Sequence, residues 1–326
     1  MNKKRVFSGI RSSGRLHIGN YLGAVKGMLE LQETHDCIFG VVDYHGITTP
    51  FIPKNIQKEI REVVLDYLAA GLNPEKCHLM IQSQVPEHVE LSYIFATIFP
   101  VSRLEQLPTY KDKKLENPGY INLGLLYYPI LMAADILLYK AELVPVGKDQ
   151  LPHIELTREV ARRFNQMFGQ LFPEPQAHLT KGALVPSLVG QGKMSKSVKG
   201  SYILLTDDLA TIKERLAKMP TDTGKGKVLP KEGGVANLLI LVSLFMGEKE
   251  KQNYEKQYLG EGIRYGNLKE KLAQAIFKEI QPIQEKRKYF EKHPEEVAKI
   301  LEEGRVYCSK VAQQTLLEVK KAMGLV

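Results

Sequence analysis

Two short segments carry residue types suited to handling phosphate. The first, Phe7-Ser8-Gly9-Ile10-Arg11-Ser12-Ser13-Gly14-Arg15-Leu16-His17-Ile18-Gly19-Asn20, leaves an apolar run, turns through glycines and enters a helical pattern. Glycines let backbone N–H groups approach a phosphate, and a helix N-terminus favours negative charge. His17 and Asn20 fall three apart, on one helical face, from which both can reach phosphate or ribose. Gly19 offers a flat surface for a purine ring. The second segment, Lys193-Met194-Ser195-Lys196-Ser197, lies in a glycine-bounded loop that also holds Lys199. Mobile ammonium groups there can neutralise charge that builds on a leaving pyrophosphate. Alone, each segment also reads as plain structure: a glycine turn with a chance histidine, and a solvated charge run. Together, in this order, they point to nucleotide activation. Asp135 is the third feature, a carboxylate inside the apolar helical run 131–138. Such a group is costly unless paired, so it reads either as a cap or buried salt bridge, or as an acceptor for a substrate N–H.

The elements that must position these residues are legible from periodicity. Apolar, β-rich runs at 5–10, 37–43, 78–83 and 142–147 read as strands. Between them, 55–71 has helical spacing at Ile60, Val63, Val64, Tyr67 and Leu68 and stops at Gly71. This alternation predicts an α/β fold with a doubly wound, parallel, Rossmann-like sheet. After residue 204 the strands cease. Asp207-Asp208 open a helix through Met219, and 224–234 reads as a Gly- and Lys-rich loop. Helices are expected at 235–246, 267–292 with a kink at Pro282, 294–303 and 306–323. The division is therefore a catalytic domain over 1–203, including an inserted connective segment, and a C-terminal all-helical domain over 204–326.

Composition restricts the class without deciding it. The 326 residues are 44% hydrophobic and 25% charged, ordinary globular values. No apolar run has the length to cross a bilayer, and the basic start, Met1-Asn2-Lys3-Lys4-Arg5, lacks a continuous apolar region behind it. A cytoplasmic protein with no membrane association is the expectation. Cys37, Cys77 and Cys308 are widely spaced with no C-x-x-C pattern, so neither a disulfide framework nor a protein-bound metal is expected. The net charge of +8 suits an anionic partner, but half of it lies in 204–326 and half elsewhere, so charge alone decides nothing.

The run His17-Ile18-Gly19-Asn20 followed by Lys193-Met194-Ser195-Lys196-Ser197 resembles the paired signature of class I aminoacyl-tRNA synthetases. The stretches between are similar to the tryptophanyl branch: Val42-Asp43-Tyr44-His45, Leu131-Met132-Ala133-Ala134-Asp135-Ile136-Leu137, and 144–150 leading into 153–158. The resemblance covers the catalytic region nearly end to end. It implies a homodimer that makes tryptophanyl-adenylate from L-tryptophan and ATP with Mg2+, then esterifies tRNA(Trp). Positions matching the ATP site are Arg11, Ser12, Ser13, Gly19 and Asn20, with Gly147, Lys148 and Asp149 near the ribose and Val185 at an adenine-contacting backbone position. Lys193, Met194, Ser195, Lys196 and Ser197 would close over the triphosphate. His17, Lys113, Lys193, Ser195 and Lys196 are the candidates for transition-state charge. Lys113, in an inserted polar segment, also reads as an exposed surface charge. Asp135 matches the family's tryptophan-reading aspartate, with Phe7, His45, Tyr128, Met132, Val144 and Val146 as apolar walls, each of which could equally be plain core. No side chain is needed as nucleophile or general base, since the tryptophan carboxylate itself attacks the α-phosphorus. Many members carry Gln-Pro where this chain has Arg11-Ser12, which implies rearranged contacts there. The rivals are a tyrosyl-tRNA synthetase, a small-metabolite nucleotidyltransferase with a related first motif, and a paralogue that only binds RNA.

Overall fold

The computed structural model describes residues 3–116, 118–179, 184–190, 192–196 and 198–326. Strand β1 (Arg5–Arg11) leads into a single turn α1 (Ile18–Asn20), which continues as a π-helical stretch, Tyr21–Val25, into α2 (Lys26–Gln32). Then come β2 (Asp36–Val42), α3 (Asp43–Gly46), α4 (Ile56–Ala70), β3 (Cys77–Ile81), α5 (Glu87–Ile98), α6 (Val101–Glu105), α7 (Pro108–Glu116) and α8 (Leu123–Leu137). β4 (Leu143–Val146), α9 (Leu151–Phe168) and β5 (Gln176–Leu179) complete the sheet. The remainder is helical: α10 (Leu209–Ala217), α11 (Gly234–Met246), α12 (Glu248–Leu259), α13 (Tyr265–Lys292) and α14 (Pro294–Ala322).

The five strands are parallel, in the order β3-β2-β1-β4-β5. Side chains alternate across a pleated strand, and here they sort into two cores. Val6, Cys37, Phe39, Leu79 and Ile81 enter one core, with α4, α10, α11 and α13. Phe7, Ile38, Met80, Val144 and Val146 enter the other, with α5, α8 and α9. Helices on both faces of a parallel sheet are the doubly wound arrangement expected from the strand–helix alternation. β5 is an addition: Gln176-Ala177-His178-Leu179 is short and half polar, as a half-exposed edge strand can be, and gives no continuous apolar signal.

The C-terminal helices differ from expectation in two respects: α12, over the charged run 248–259, is not among the expected helices, and an expected break is absent. The two helices expected at 294–303 and 306–323 are one, α14, running through Gly304. A helix-breaking residue stands there because α14 crosses the edge strand β3 at that point. A Cβ on Gly304 would lie 1.9 Å from the Leu79 carbonyl oxygen. Before the crossing α14 contributes Val297 and Ile300 to the first core, and after it Cys308, Ala312 and Leu316 to the second. Gly304→Ala should therefore destabilise the fold by roughly 1–3 kcal/mol, more than the ~1 kcal/mol that alanine returns in helix propensity. A urea-unfolding midpoint at or above that of the parent would show that α14 can shift to accept the methyl. Pro282 lies within α13 without ending it.

Candidate functional site

The first motif is a turn closed by its own side chains. β1 ends at exposed Arg11. Ser12 is buried, its hydroxyl set against Gly46 where a Cβ would come within 2.5 Å of it. His17 caps α1: Nδ1 accepts from the Asn20 N–H at 3.2 Å, and Asn20 Oδ1 accepts from the His17 N–H at 3.2 Å. This reciprocal pair satisfies two helix-end donors. The two side chains therefore hold each other through one atom each, which leaves His17 Nε2 and Asn20 Nδ2 outside the pair. With Nδ1 accepting, the ring proton sits on Nε2, which remains as the donor. Burial, then the charges of Lys196 and Lys193, lower the His17 pKa to about 3, so the ring is neutral at physiological pH. At Gly19 a Cβ would lie 2.8 Å from His17 Cε1 and Nδ1 and 3.4 Å from Met194 Cβ, so the bare backbone also makes room for the imidazole and the lysine loop.

The lysine loop is docked onto that turn. Met194 is buried in the first core, and its N–H donates to the Val185 carbonyl at 2.9 Å. Lys193 pairs in an antiparallel bridge with Pro186, and the Ser201 hydroxyl accepts from the Ser195 N–H at 3.2 Å. Lys196 donates from Nζ to the carbonyls of Ser13 (2.6 Å), Gly14 (3.1 Å) and Arg15 (2.8 Å). Lys193 is paired with Asp149. The sequence suggested mobile ammonium groups; here Lys196 is held on the first motif and Lys193 on Asp149 after β4. Burial, only partly opposed by Asp66 and Glu59, lowers the Lys196 pKa to about 8. Asp149 is exposed; what burial it has would raise its pKa, yet Lys193 and Gln150 hold it below the usual carboxylate range. Gly147 ends β4, and exposed Lys148 precedes Asp149. Ser197 lies outside the described residues.

Asp135 lies in α8, an apolar helix that Asn122 caps through the Leu125 N–H and that packs between α5 and α9. It is 2% exposed and heavily bonded. Oδ1 accepts from Gln82 Nε2 and His88 Nδ1, each at 2.7 Å, and Oδ2 meets His45 Nε2 at 2.7 Å. His88 Nε2 in turn meets the Tyr139 hydroxyl at 2.8 Å. Burial would raise the carboxyl's pKa, but the His45 and His88 hydrogen bonds outweigh it and hold the group ionised. An ionised carboxylate has about four acceptor positions. Among the described residues three are filled, which leaves one on Oδ2. The two readings of Asp135 are thus compatible: the pairing keeps it charged, and one lone pair can still take a ligand N–H. At such low exposure the neighbouring side chains must move to admit a ligand, and His45, on Oδ2, is the nearest.

The expected apolar walls divide. His45 is not a wall but a partner of the carboxylate. Phe7 stacks on Tyr139 with centroids 5.4 Å apart, behind His88, and Val144 and Val146 are core residues of the same cluster. Met132 is half-buried beside them. Tyr128 makes an edge-on contact with His45 at 6.3 Å and shares its hydroxyl with Thr109 and His153, both at 2.9 Å. Lys113, half-buried on α7, places Nζ 5.7 Å from the centre of the Tyr128 ring, which brings it beside this cluster rather than onto open surface. Burial pushes the His153 pKa down to about 4. Gln82, His88, Tyr139, Thr109 and His153 were not singled out from the sequence as site residues. One signal existed: Gln82 directly follows β3, and the carboxyl ends of strands are where open parallel sheets carry ligands.

Residues 1–281 match the family model described as tRNA synthetases class I (W and Y). A tryptophan–tRNA ligase of Bacillus anthracis is 43% identical over 98% of this chain and 98% of its own length. One from Clostridium tetani is 40% identical over 100% of this chain and 97% of its own. Among solved structures, tryptophanyl-tRNA synthetase from Mycoplasma pneumoniae superposes with a TM-score of 0.87 at 32% identity, covering 99% and 98% of the two chains. The Campylobacter jejuni enzyme, complexed with ADP and tryptophan, superposes with a TM-score of 0.83 at 31% identity over 98% and 99%.

Proposed function

From the premise that this chain belongs to the class I tRNA synthetases of the W and Y group, we infer that it acts as a tryptophan–tRNA ligase. In the first step a tryptophan carboxylate oxygen bonds to the α-phosphorus of Mg-ATP as the bond to the bridging oxygen of pyrophosphate breaks. In the second, a ribose hydroxyl at the 3′ end of tRNA(Trp) attacks the adenylate's carbonyl carbon and AMP leaves. No side chain becomes a nucleophile, so the protein's work is positioning and charge stabilisation. The His17 Nε2–H donates to a phosphate oxygen, and the Ser12–Ser13 turn with Asn20 forms the rest of the phosphate cradle. Lys196 and Lys193 leave their present oxygen partners for phosphate oxygens as charge builds, joined by Lys113 and Ser195. Gly147, Lys148 and Asp149 lie toward the ribose and Val185 toward the adenine. Mg2+ enters with ATP as the metal complex of its phosphates.

The observation that carries tryptophan as the substrate is the acceptor position that the described residues leave unfilled on the ionised Asp135 carboxylate, which suits an indole N–H. Met132 and Tyr128 flank it. The helical region 204–326 reads the tRNA. The exposed Tyr93 and Val101, on α5 and α6, and Leu123, on the α8 against which both pack, suit a second copy of the chain in a homodimer. The reaction belongs with translation in the cytoplasm, and among the described residues no helix is long and apolar enough to cross a membrane. The test is amino-acid-dependent ATP–pyrophosphate exchange with tryptophan and tyrosine side by side. Exchange with tryptophan alone is expected. Tyrosine-only exchange overturns the substrate, and silence with both overturns the synthetase reading.

A further inference from the structure

The residue ahead of His17, Leu16, is held on two sides by groups that one helix of the C-terminal region anchors in turn. Asp66, fully buried on α4, accepts the Leu16 N–H at 2.6 Å. Glu62, one turn earlier, accepts from Arg15 Nε at 2.7 Å. Both carboxylates are bonded to the guanidinium of Arg287 on α13, which also donates to the Glu62 carbonyl at 3.1 Å and to Glu291 at 2.9 Å. Arg287 is only 3% exposed, so this fork is a buried ion-pair node and not a surface bridge. On the other side, the Leu16 carbonyl accepts the Leu205 N–H at 2.9 Å, and Gln284, also on α13, donates to the carbonyls of Leu205 and Asp207 at 2.9 Å each. The same turn offers Lys196 its three carbonyl partners at Ser13, Gly14 and Arg15.

We propose that Arg287 is a positioning residue for ATP: through Asp66 and Glu62 it fixes the backbone of residues 13–16, and with it the His17 donor and the seat of Lys196. The proposal rests on the functional reading above for the identity of the site, but its test does not depend on the amino acid. Without Arg287 the buried Asp66 carboxylate would keep the Leu16 N–H but lose its counter-charge, so α4 and the turn would have to rearrange. The Asp135 cluster lies on the opposite face of the sheet, in the second core, and shares none of these bonds. The two binding events should therefore separate.

The experiment is calorimetric titration of the full-length chain with Mg-ATP and, separately, with tryptophan, on the parent, Arg287→Met, Arg287→Lys and the double variant Asp66→Asn/Arg287→Met. Arg287→Met is expected to weaken ATP about tenfold and to leave tryptophan within twofold. Arg287→Lys, which keeps the charge but not the fork, should recover part of the loss. If Arg287→Met does not fold, the double variant removes both buried charges, while the new amide oxygen on α4 still accepts the Leu16 N–H. It should fold and still bind ATP at least threefold more weakly than the parent. An ATP affinity within twofold of the parent in every folded variant overturns the proposal, as does a parallel loss for ATP and tryptophan. Failure of the parent to exchange pyrophosphate with tryptophan would strike the functional reading instead.

Discussion

Replacing Asp135 by alanine is expected to lower kcat/KM for tryptophan by about 10²–10³-fold while the KM for ATP stays within about threefold. In the proposed site the carboxylate offers its remaining lone pair to a donor that tryptophan has and phenylalanine lacks. A site built to hydrogen-bond a substrate N–H can discriminate by roughly 10⁴–10⁵, because the analogue leaves a buried polar group unpaired. Asp135→Ala should forfeit most of that discrimination. It should also strand three buried donors, Gln82, His45 and His88, at about 1–3 kcal/mol apiece where no water replaces the oxygen. A melting curve must therefore accompany the kinetics. Asp135→Asn separates the two roles. It keeps the volume and one acceptor but turns a donor toward the histidines and Gln82, so stability falls. If that variant, assayed well below its melting point, still rejects phenylalanine as the parent does and loses ATP affinity as much as tryptophan affinity, Asp135 is only a buried ion-pair partner.

Much of this arrangement follows from patterns that sequence carries, and the gaps have physical causes. Near-continuous apolar runs at β1, β2 and β3 announce a sheet buried on both faces, and the two cores fill from alternate positions along them. His17 and Asn20 are visibly neighbours at a spacing of three. Spacing alone does not tell whether neighbours point at a ligand or at each other, and here the unsatisfied N–H groups of a helix start captured both. Asp135 stands out because a carboxylate in an apolar helix demands a partner. Its partners do not, because Gln82 comes from the turn after β3 and His88 from α5, and only packing brings them within 2.7 Å. His45 resembles an apolar wall on a list of residue types, yet its ring nitrogen decides its role. Gly304 looks like a helix break until the Leu79 carbonyl is beside it. Arg287 gives no local signal, since a lysine- and glutamate-rich helix conceals which of its charges is turned inward.

The second large effect is expected at Lys196. Its ammonium lies on the three carbonyls of the first motif, beside the proposed seat of the triphosphate. Removing a group that meets charge developing in the transition state costs about 10²–10³ in kcat, so Lys196→Ala should slow tryptophan-dependent pyrophosphate exchange by that amount. The pH profile gives a sharper test. Burial lowers the Lys196 pKa from its ordinary 10.5 to about 8, so the charged form is present below pH 8 and is lost as pH rises through it. Exchange by the parent should therefore decline on the alkaline side around pH 8. Between about 8 and 10.5 the unfolded chain binds this proton and the folded chain does not, so the group's contribution to stability increases with pH in that window. A decline in rate there is not unfolding driven by Lys196. Arginine remains protonated throughout, so Lys196→Arg, at whatever reduced rate its bulk allows, should lack that alkaline limb. If parent and arginine variant decline together, a different group titrates, and the lowered pKa of Lys196 serves the docking of the loop rather than the chemistry.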